Sequence, residues 1–322
     1  MTSITAIFGG AAFGAAFPDS TFANSSAQAE ALEILLRSGV TTIDTSRVYP
    51  GSEHAIGMLE KRGSFTINTK LPGGFYPGRW GKEETFNDIK DSIARLQIPQ
   101  VDVLFLHAPE PNSDIKQTLE GVNDAYKQGL FRRFGLSNYT PQQVQEVNDI
   151  SKENGYVLPS VYQANYNPVA RHLEVKLFPL LRELNISIHV YSPLAGGFFT
   201  KTPADLDEGA GRFNEVTFYG LYLKLYNKPS LRAALGEWAS IAEAEGVSKA
   251  ELAYRWVGFN SALKANLGDA VIFGASKMSH IEETARWLKK GGLSEAATAR
   301  IEALWESVKH EAPTDNYGAN MA

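Results

Sequence analysis

The chain has 322 residues, of which 43% are hydrophobic and 21% charged, a balance that excludes wholesale disorder. Its net charge of −5 and pI of about 5.8 give no basic footprint for nucleic acid. The absence of cysteine removes disulfides, thiolate metal centres and cysteine nucleophiles, and no apolar run approaches the roughly 20 residues that span a bilayer.

Met1–Phe22 is apolar and rich in Gly and Ala but has no basic leading segment. It is therefore expected to belong to the mature protein of a cytoplasmic chain, not to a signal peptide. Strands are predicted at Thr5–Gly10, Thr41–Thr45, Phe65–Lys70 and Val101–His107, then at Phe134–Ser137, Val161–Ala164, Ile186–Ser192 and Ala270–Gly274. Several are unbroken apolar runs, such as Val101–Leu106, which suit strands covered on both faces, as in a parallel sheet. Helical spacing lies between them. Gln28–Arg37 carries Ala31, Leu32, Leu35 and Leu36, and Lys82–Leu96 sets Phe86, Ile89, Ile93 and Leu96 on one stripe. Ile115–Lys127, Pro141–Asn154, Val175–Leu184, Ser230–Ala244 and Ser248–Phe259 read likewise. Thr140 before Pro141 is a favoured helix start, Ser248 with Glu251 resembles a capping box, and Gly39, Gly129 and Gly246 fall at helix ends. Ala195–Pro229 is long and aperiodic, as functional loops are.

Eight strands alternating with helices in one undivided chain predict an α/β fold, a (β/α)8 TIM barrel forming a single domain over 1–322. A doubly wound dinucleotide-binding sheet is disfavoured. Gly9-Gly10-Ala11-Ala12-Phe13-Gly14 has the wrong glycine spacing, and no helix directly follows it. No Walker A sequence is present.

In such barrels the active site lies at the C-terminal ends of the strands. Those ends carry Asp44, with Tyr49 just beyond, then Lys70, His107, Ser137-Asn138, Gln163, Tyr191-Ser192 and Ser276-Lys277. Each has a structural alternative: a helix cap for Asp44, a packed ring for Tyr49, a surface lysine for Lys70, a core histidine for His107. Together they are harder to dismiss. Four ionisable groups ending three successive apolar strands would cost several kcal/mol by the usual estimates if buried unpaired, so they are expected to pair with one another. The six histidines show no His-x-x-x-His pair, which argues against metal hydrolysis. A glycosidase barrel stays open through Asp44 and Glu110, two carboxyls placed at strand ends.

Five segments, in this order and spacing, resemble the aldo-keto reductase family over essentially the whole chain. They are Ile43-Asp44-Thr45-Ser46-Arg47-Val48-Tyr49, Asn68-Thr69-Lys70, Leu104-Phe105-Leu106-His107, Gly135-Leu136-Ser137-Asn138-Tyr139 and Val190-Tyr191-Ser192-Pro193-Leu194-Ala195-Gly196-Gly197. Val161–Asn167 and Gly211-Arg212-Phe213 make the aflatoxin-aldehyde reductase branch the most similar. The resemblance implies NADPH-dependent reduction of aldehydes and ketones, with Asp44, Tyr49, Lys70 and His107 as the catalytic tetrad. A tyrosine of pKa about 10 is a poised proton donor near neutrality. An adjacent Lys70 ammonium is expected to lower that pKa, Asp44 to hold Lys70, and His107 to orient the carbonyl.

The same resemblance implies the NADPH/NADP+ site. Tyr191 would stack on the nicotinamide, and Ser137, Asn138 and Gln163 would hold its carboxamide. Ser192, Leu194, Gly196 and Arg212 would approach the pyrophosphate, Ser276 and Lys277 the 2′-phosphate, and His280, Glu283 and Thr284 the adenosine end. At the substrate mouth the expected residues are Phe13, Tyr49, His107, Phe218, Tyr222 and Leu223, with Tyr76 and Phe213, Tyr219 and Tyr226 of the long loop adding aromatic rim. Branch members that favour carboxylated aldehydes carry arginines in the stretch matching Leu223-Lys224-Leu225, two positions of which are leucine here, and another near the C-terminus, where this tail reads Asn316-Tyr317-Gly318-Ala319-Asn320. A neutral, aromatic carbonyl is therefore the expected substrate, unless Lys224 turns inward. The expected partner is a small-molecule carbonyl compound, with no nucleic acid and no membrane. Relatives form dimers, which makes a homodimer an expectation. The readings from other classes are a nucleotide-binding regulatory subunit with little turnover and the glycosidase barrel.

Overall fold

A computed structural model describes residues 3–14, 21–78 and 80–318, with the side chain of Phe218 outside that description. Its eight strands are β1 (Thr5–Gly9), β2 (Thr42–Asp44), β3 (Thr66–Leu71), β4 (Val101–Leu106), β5 (Phe131–Ser137), β6 (Pro159–Asn165), β7 (Ser187–Tyr191) and β8 (Ala270–Phe273). All pair in parallel in sequence order, and β1 pairs with both β2 and β8, which closes a (β/α)8 barrel. All eight predicted strands are present. The largest shift is at β5, which starts at Phe131, paired with Val101, and includes Arg133, whose charge is matched by Asp102 on the neighbouring β4 at 2.5 Å.

The packing follows from strand alternation. On β4, Leu104 and Leu106 join the main cluster beneath the helices, while Val103 and Phe105 pack with Val161 inside the barrel. Gly135 on β5 is what admits the Phe105 ring, since a Cβ there would lie 2.4 Å from it.

The helices covering the barrel include α1 (Ser25–Arg37), α2 (Ser52–Met58), α3 (Lys82–Leu96), α4 (Ile115–Lys127), α5 (Pro141–Glu153) and α6 (Leu173–Glu183). On α3, Ile89 and Leu96 are fully buried, as its stripe requires. Thr140 caps α5 in a reciprocal capping box with Gln143. Between β7 and β8 the chain forms α7 (Pro203–Asp207), α8 (Leu221–Tyr226), α9 (Pro229–Glu245) and α10 (Lys249–Arg255). After β8 come α11 (Met278–Trp287) and α12 (Glu295–Val308). Gly246 ends α9 in the left-handed conformation.

Three expectations need correction. The long segment after β7 is not featureless. It contains α7, closed by a Thr202–Asp205 capping box, and α8, with short 3-10 turns at Ala195–Thr200 and Thr217–Gly220. The Ser248 cap is one-sided, because the Glu251 carboxylate is taken by Lys290 at 2.8 Å. The helix predicted to run to Phe259 passes into a single π turn at Trp256–Asn260, where the Ser261 hydroxyl donates to the Val257 carbonyl at 2.6 Å. Among the described residues, no helix is long and apolar enough to cross a membrane.

Candidate active site

β2 and β3 are neighbours, with Asp44 opposite Asn68, so Lys70 stands beside and just above Asp44 at the top of the barrel. Both are buried, Lys70 completely. The Lys70 ammonium donates to Asp44 Oδ2 at 2.5 Å and to the Thr45 carbonyl at 2.8 Å, while Gln163 Nε2 donates to Asp44 Oδ1 at 2.9 Å. The two charges are thus paired and hydrogen-bonded, as burial of ions demands.

Tyr49 lies in the loop leaving β2, and that loop is pinned on both sides. The Arg47 amide donates to the Lys70 carbonyl at 3.2 Å, and its guanidinium binds Asp88 and Asp91 of α3 at 3.1 and 2.7 Å. This sets the Tyr49 ring with its centroid 5.3 Å from Lys70 Nζ. His107, one residue past β4, is held by its amide on the Leu71 carbonyl at 3.0 Å. Its ring stands perpendicular to Tyr49, with centroids 6.0 Å apart, and Nδ1 lies 3.0 Å from Ser46 Oγ. The four residues named from the strand ends are therefore brought together.

Their electrostatics differ in one respect from the expectation. Burial pushes the Tyr49 phenol above its ordinary value, and the opposing effect of Lys70 does not overcome it. Burial also works to lower Lys70, but Asp44 and Tyr49 outweigh it and keep the ammonium protonated. Burial, reinforced by the Lys70 charge, holds the His107 imidazolium well below its usual range, so the ring is neutral near pH 7. The top of the barrel thus presents a protonated phenol and a neutral imidazole above a fixed ion pair. The glycosidase arrangement is not present. Asp44 is committed to Lys70 and Gln163, and Glu110 accepts from the Asn112 and Gly78 amides at 2.9 and 3.3 Å.

The residues expected to hold a cofactor ring the same end. Asn138, with φ of 61°, donates to the His107 carbonyl at 2.8 Å and to Ser137 Oγ at 3.2 Å, and accepts from the Tyr191 hydroxyl at 3.4 Å. From Ser192 the backbone winds through a turn where Ser192, Ala195, Gly196 and Gly197 all have positive φ. Gly196 is needed there twice over: its φ is 69°, and a Cβ would lie 2.1 Å from the Tyr222 ring. Leu194 in the same turn is half-buried. Arg212 donates to the Tyr222 hydroxyl at 3.0 Å, and its charge is felt at both Tyr49 and Tyr254. Ser276 and Lys277 are exposed immediately before α11, and Ser276 Oγ lies 3.3 Å from His280 Nδ1. Glu283 is half-buried on α11, while Thr284 is buried and hydrogen-bonded with Tyr254, so its hydroxyl is engaged within the core.

The substrate residues divide. Tyr222 is buried over the Gly196 turn and acts electrostatically on Tyr49, which places it at the mouth. Leu223 is half-buried and Lys224 is exposed. Phe13 is set apart: its ring packs with Phe8 and Phe22, at centroid distances of 5.5 and 6.0 Å, and it is only 2% exposed. Phe213 and Tyr226 are fully buried and pack the long segment on itself, whereas Tyr76 and Tyr219 point into solvent. The side chain of Phe218 and residues 319–320 of the tail lie outside the described residues.

Three residues at the site escaped the sequence reading. Ser46 contacts His107, Phe75 packs on it at 4.6 Å, and Tyr317 packs edge-on against Phe75 at 5.1 Å. The C-terminal segment therefore reaches the mouth and extends the His107 wall with aromatic surface. Phe75 follows β3, so the strand-end rule could have found it; Tyr317, remote in sequence, carried no local signal.

The profile of the aldo/keto reductase family matches residues 6–306, and the chain belongs to that family. It is 36% identical over 287 residues to oxidoreductase sirO of Leptosphaeria maculans, covering 88% of this chain and 87% of that protein. It is 31% identical over 308 residues to aflatoxin B1 aldehyde reductase member 2 of Homo sapiens, covering 89% and 84% of the two chains. Aldo-keto reductase family 7 member A3 of Homo sapiens is 33% identical over 299 residues, or 86% and 88%.

Proposed function

We propose that the protein reduces aldehydes or ketones to alcohols using NADPH, with Tyr49 as the general acid. The observation that carries this reading is the stack of Tyr49, Lys70 and Asp44 beside a neutral His107. The residues present fit a phosphate-bearing nicotinamide cofactor. The positive-φ turn at Ser192–Gly197 and the N-terminus of α11, preceded by exposed Ser276 and Lys277, are suited to phosphate groups. Arg212, whose guanidinium donates to the Tyr222 hydroxyl at 3.0 Å, is the cation we assign to the pyrophosphate. Tyr191, Ser137, Asn138 and Gln163, at or near the C-terminal ends of β5, β6 and β7, are the residues we assign to the nicotinamide ring and its carboxamide.

When bound, the reduced cofactor supplies a hydride to the carbonyl carbon. The protein's share is the oxygen. His107 orients and polarises the carbonyl by hydrogen bonding, which a neutral imidazole does without surrendering its own proton. Tyr49 delivers its phenolic proton to the oxygen as negative charge develops there. Lys70 stabilises the phenolate left behind, and Asp44 keeps Lys70 charged and aimed. A general acid whose pKa is raised by burial stays in the protonated form that reduction requires throughout the physiological range.

The aromatic surface of Phe75 and Tyr317 beside His107, to which we add Tyr222 and the half-buried Leu223, favours apolar or aromatic carbonyls through buried area. Titrating NADPH against the fluorescence of the five tryptophans, then adding an aldehyde panel and following NADPH consumption, tests the reading. Saturable binding and aldehyde-dependent consumption are expected. Binding without consumption across the panel would leave the nucleotide-binding subunit as the better account.

A further inference from the structure

We propose that Ser46 is a positioning residue that fixes the tautomer of His107, keeping the proton on Nε2 for the substrate oxygen. The proposal rests on the role given to His107 above, but its physical content stands apart from turnover. A neutral imidazole carries one N–H, and the hydrogen bond made by one ring nitrogen decides where that proton sits. Burial and the Lys70 charge keep His107 neutral, so the question of tautomer arises over the whole working pH range.

Ser46 is completely buried and His107 nearly so, which makes any bond between them hard to replace by solvent. Ser46 Oγ lies 3.0 Å from Nδ1. The same oxygen accepts the Val48 amide at 3.3 Å, so one of its lone pairs is already used. Its hydroxyl proton has two acceptors in reach: Nδ1 at 3.0 Å and the Lys70 carbonyl at 3.4 Å. At 3.4 Å the Lys70 carbonyl lies beyond the ordinary O–H···O range, so the serine proton is better used on Nδ1, which becomes an acceptor and leaves the imidazole proton on Nε2. In the reverse arrangement Nδ1–H would donate to the second lone pair of the serine oxygen, the serine proton would be left with the Lys70 carbonyl at 3.4 Å, which already accepts the Arg47 amide at 3.2 Å, and Nε2 would turn a lone pair toward a carbonyl oxygen. That tautomer cannot polarise a carbonyl. Phe75 and Tyr49 cover the ring on other sides with aromatic surface, 4.6 and 6.0 Å away by centroid, which leaves Ser46 to set the polar environment of Nδ1.

The position is placed to do this by the fold. The Arg47 amide on the Lys70 carbonyl and the Arg47 ion pairs with α3 fix the loop that carries Ser46, while the His107 amide is tied to β3 through Leu71. Ser46 therefore links the loop bearing the proton donor to the strand bearing the carbonyl-orienting ring, and it does so without touching substrate.

The test is the ¹⁵N spectrum of the imidazoles in protein labelled at its six histidines, with the His107 signals assigned by their loss in His107→Gln. In the unmodified protein, Nε2 of His107 is expected to be protonated and Nδ1 unprotonated and hydrogen-bonded. Ser46→Ala should shift this pattern toward protonated Nδ1 or a mixture. In the same variant kcat should fall roughly three- to tenfold, the worth of one hydrogen bond, with KM little changed. Ser46→Thr, which retains the hydroxyl, should restore both the spectrum and kcat. A protonated Nδ1 in the unmodified protein overturns the proposal without any variant, as does an Nε2–H signal unchanged in Ser46→Ala. If no carbonyl is reduced at all, the function proposed above fails, while the spectra still decide the tautomer.

Discussion

Lys70→Met removes the ammonium but keeps the length of the side chain. The loss is large because neither partner of the ion pair is solvated: the Lys70 and Asp44 side chains are 0% and 4% exposed. Asp44 would keep the Gln163 amide, but its Oδ2 would lose the 2.5 Å contact with Lys70, and the Thr45 carbonyl would lose a donor at 2.8 Å. Leaving one buried charge uncompensated costs about 3–5 kcal/mol, more than deleting the pair together. The second change, Asp44→Asn, removes that charge while keeping a side chain able to meet Gln163. The double variant Lys70→Met, Asp44→Asn should therefore recover about 2 kcal/mol or more of the loss seen in Lys70→Met alone. Urea unfolding followed by tryptophan fluorescence, with circular dichroism as a second probe of a single transition, measures both. A Lys70→Met loss under about 1 kcal/mol, or a double variant less stable than Lys70→Met, would refute the claim that the pair is dry and mutually dependent.

Three further outcomes are expected. Because burial raises Tyr49 above 10.0 and lowers His107 well below 6.5, the acid form of Tyr49 and the neutral form of His107 coexist across neutrality. The kcat/KM for reduction should thus stay flat on both sides of pH 7 and fall on the alkaline side only above about pH 10, where the phenol ionises; a sharp decline between pH 7 and 9 would contradict this. Lys277→Ala and Ser276→Ala should weaken NADPH by about tenfold or more and leave NADH nearly untouched, since only NADPH has the 2′-phosphate; equal weakening in direct titrations would move that contact to Arg212. At saturating NADPH, aromatic aldehydes should give a higher kcat/KM than succinic semialdehyde, and Leu223→Arg should shift the ratio toward the acid; a preference of the unmodified enzyme for the carboxylated aldehyde would overturn the reading of the mouth.

The barrel and the centre of its site were legible because both rest on local, short-range signals. Continuous apolar runs mark strands covered on both faces, and the rule that function gathers at strand C-termini needs only the ends of those runs. It picked out Asp44, Lys70 and His107, and cost arguments about buried charge then required the pairing seen between Lys70 and Asp44. Short elements were less visible. α2 is seven residues long, with Ser52 and Glu53 buried, so it shows no apolar stripe, and α7 and α8 are held by a capping box and aromatic packing. In α12 the stripe Ala297, Ile301, Leu304, Trp305 and Val308 behind the Ser294 cap is a signal the sequence does carry.

What the sequence could not supply was balance between opposing effects. It offered Lys70 as a reason for a lowered Tyr49 pKa, but the depth of burial, known only from the fold, decides the direction. It offered a row of aromatic residues for the mouth without saying which face inward. Phe13 goes to the core with Phe8 and Phe22, Tyr76 to solvent, and the neighbouring Phe75 to His107. A loop has no period from which such choices can be read. Tyr317 is more than two hundred residues from His107 in sequence, and only the return of the C-terminal segment over the barrel joins them through Phe75.

The most direct measurement of the central claim is Tyr49→Phe, assayed for NADPH binding by fluorescence and for aldehyde-dependent NADPH consumption. The ring stays, along with its place 5.3 Å from Lys70 Nζ, and only the proton donor is lost. Carbonyl reduction should fall by about 10²–10⁴-fold, while NADPH binds with nearly its original affinity. Near-normal turnover in Tyr49→Phe would contradict the assignment of Tyr49 as the general acid, and with it the mechanism built on the Tyr49–Lys70–Asp44 stack.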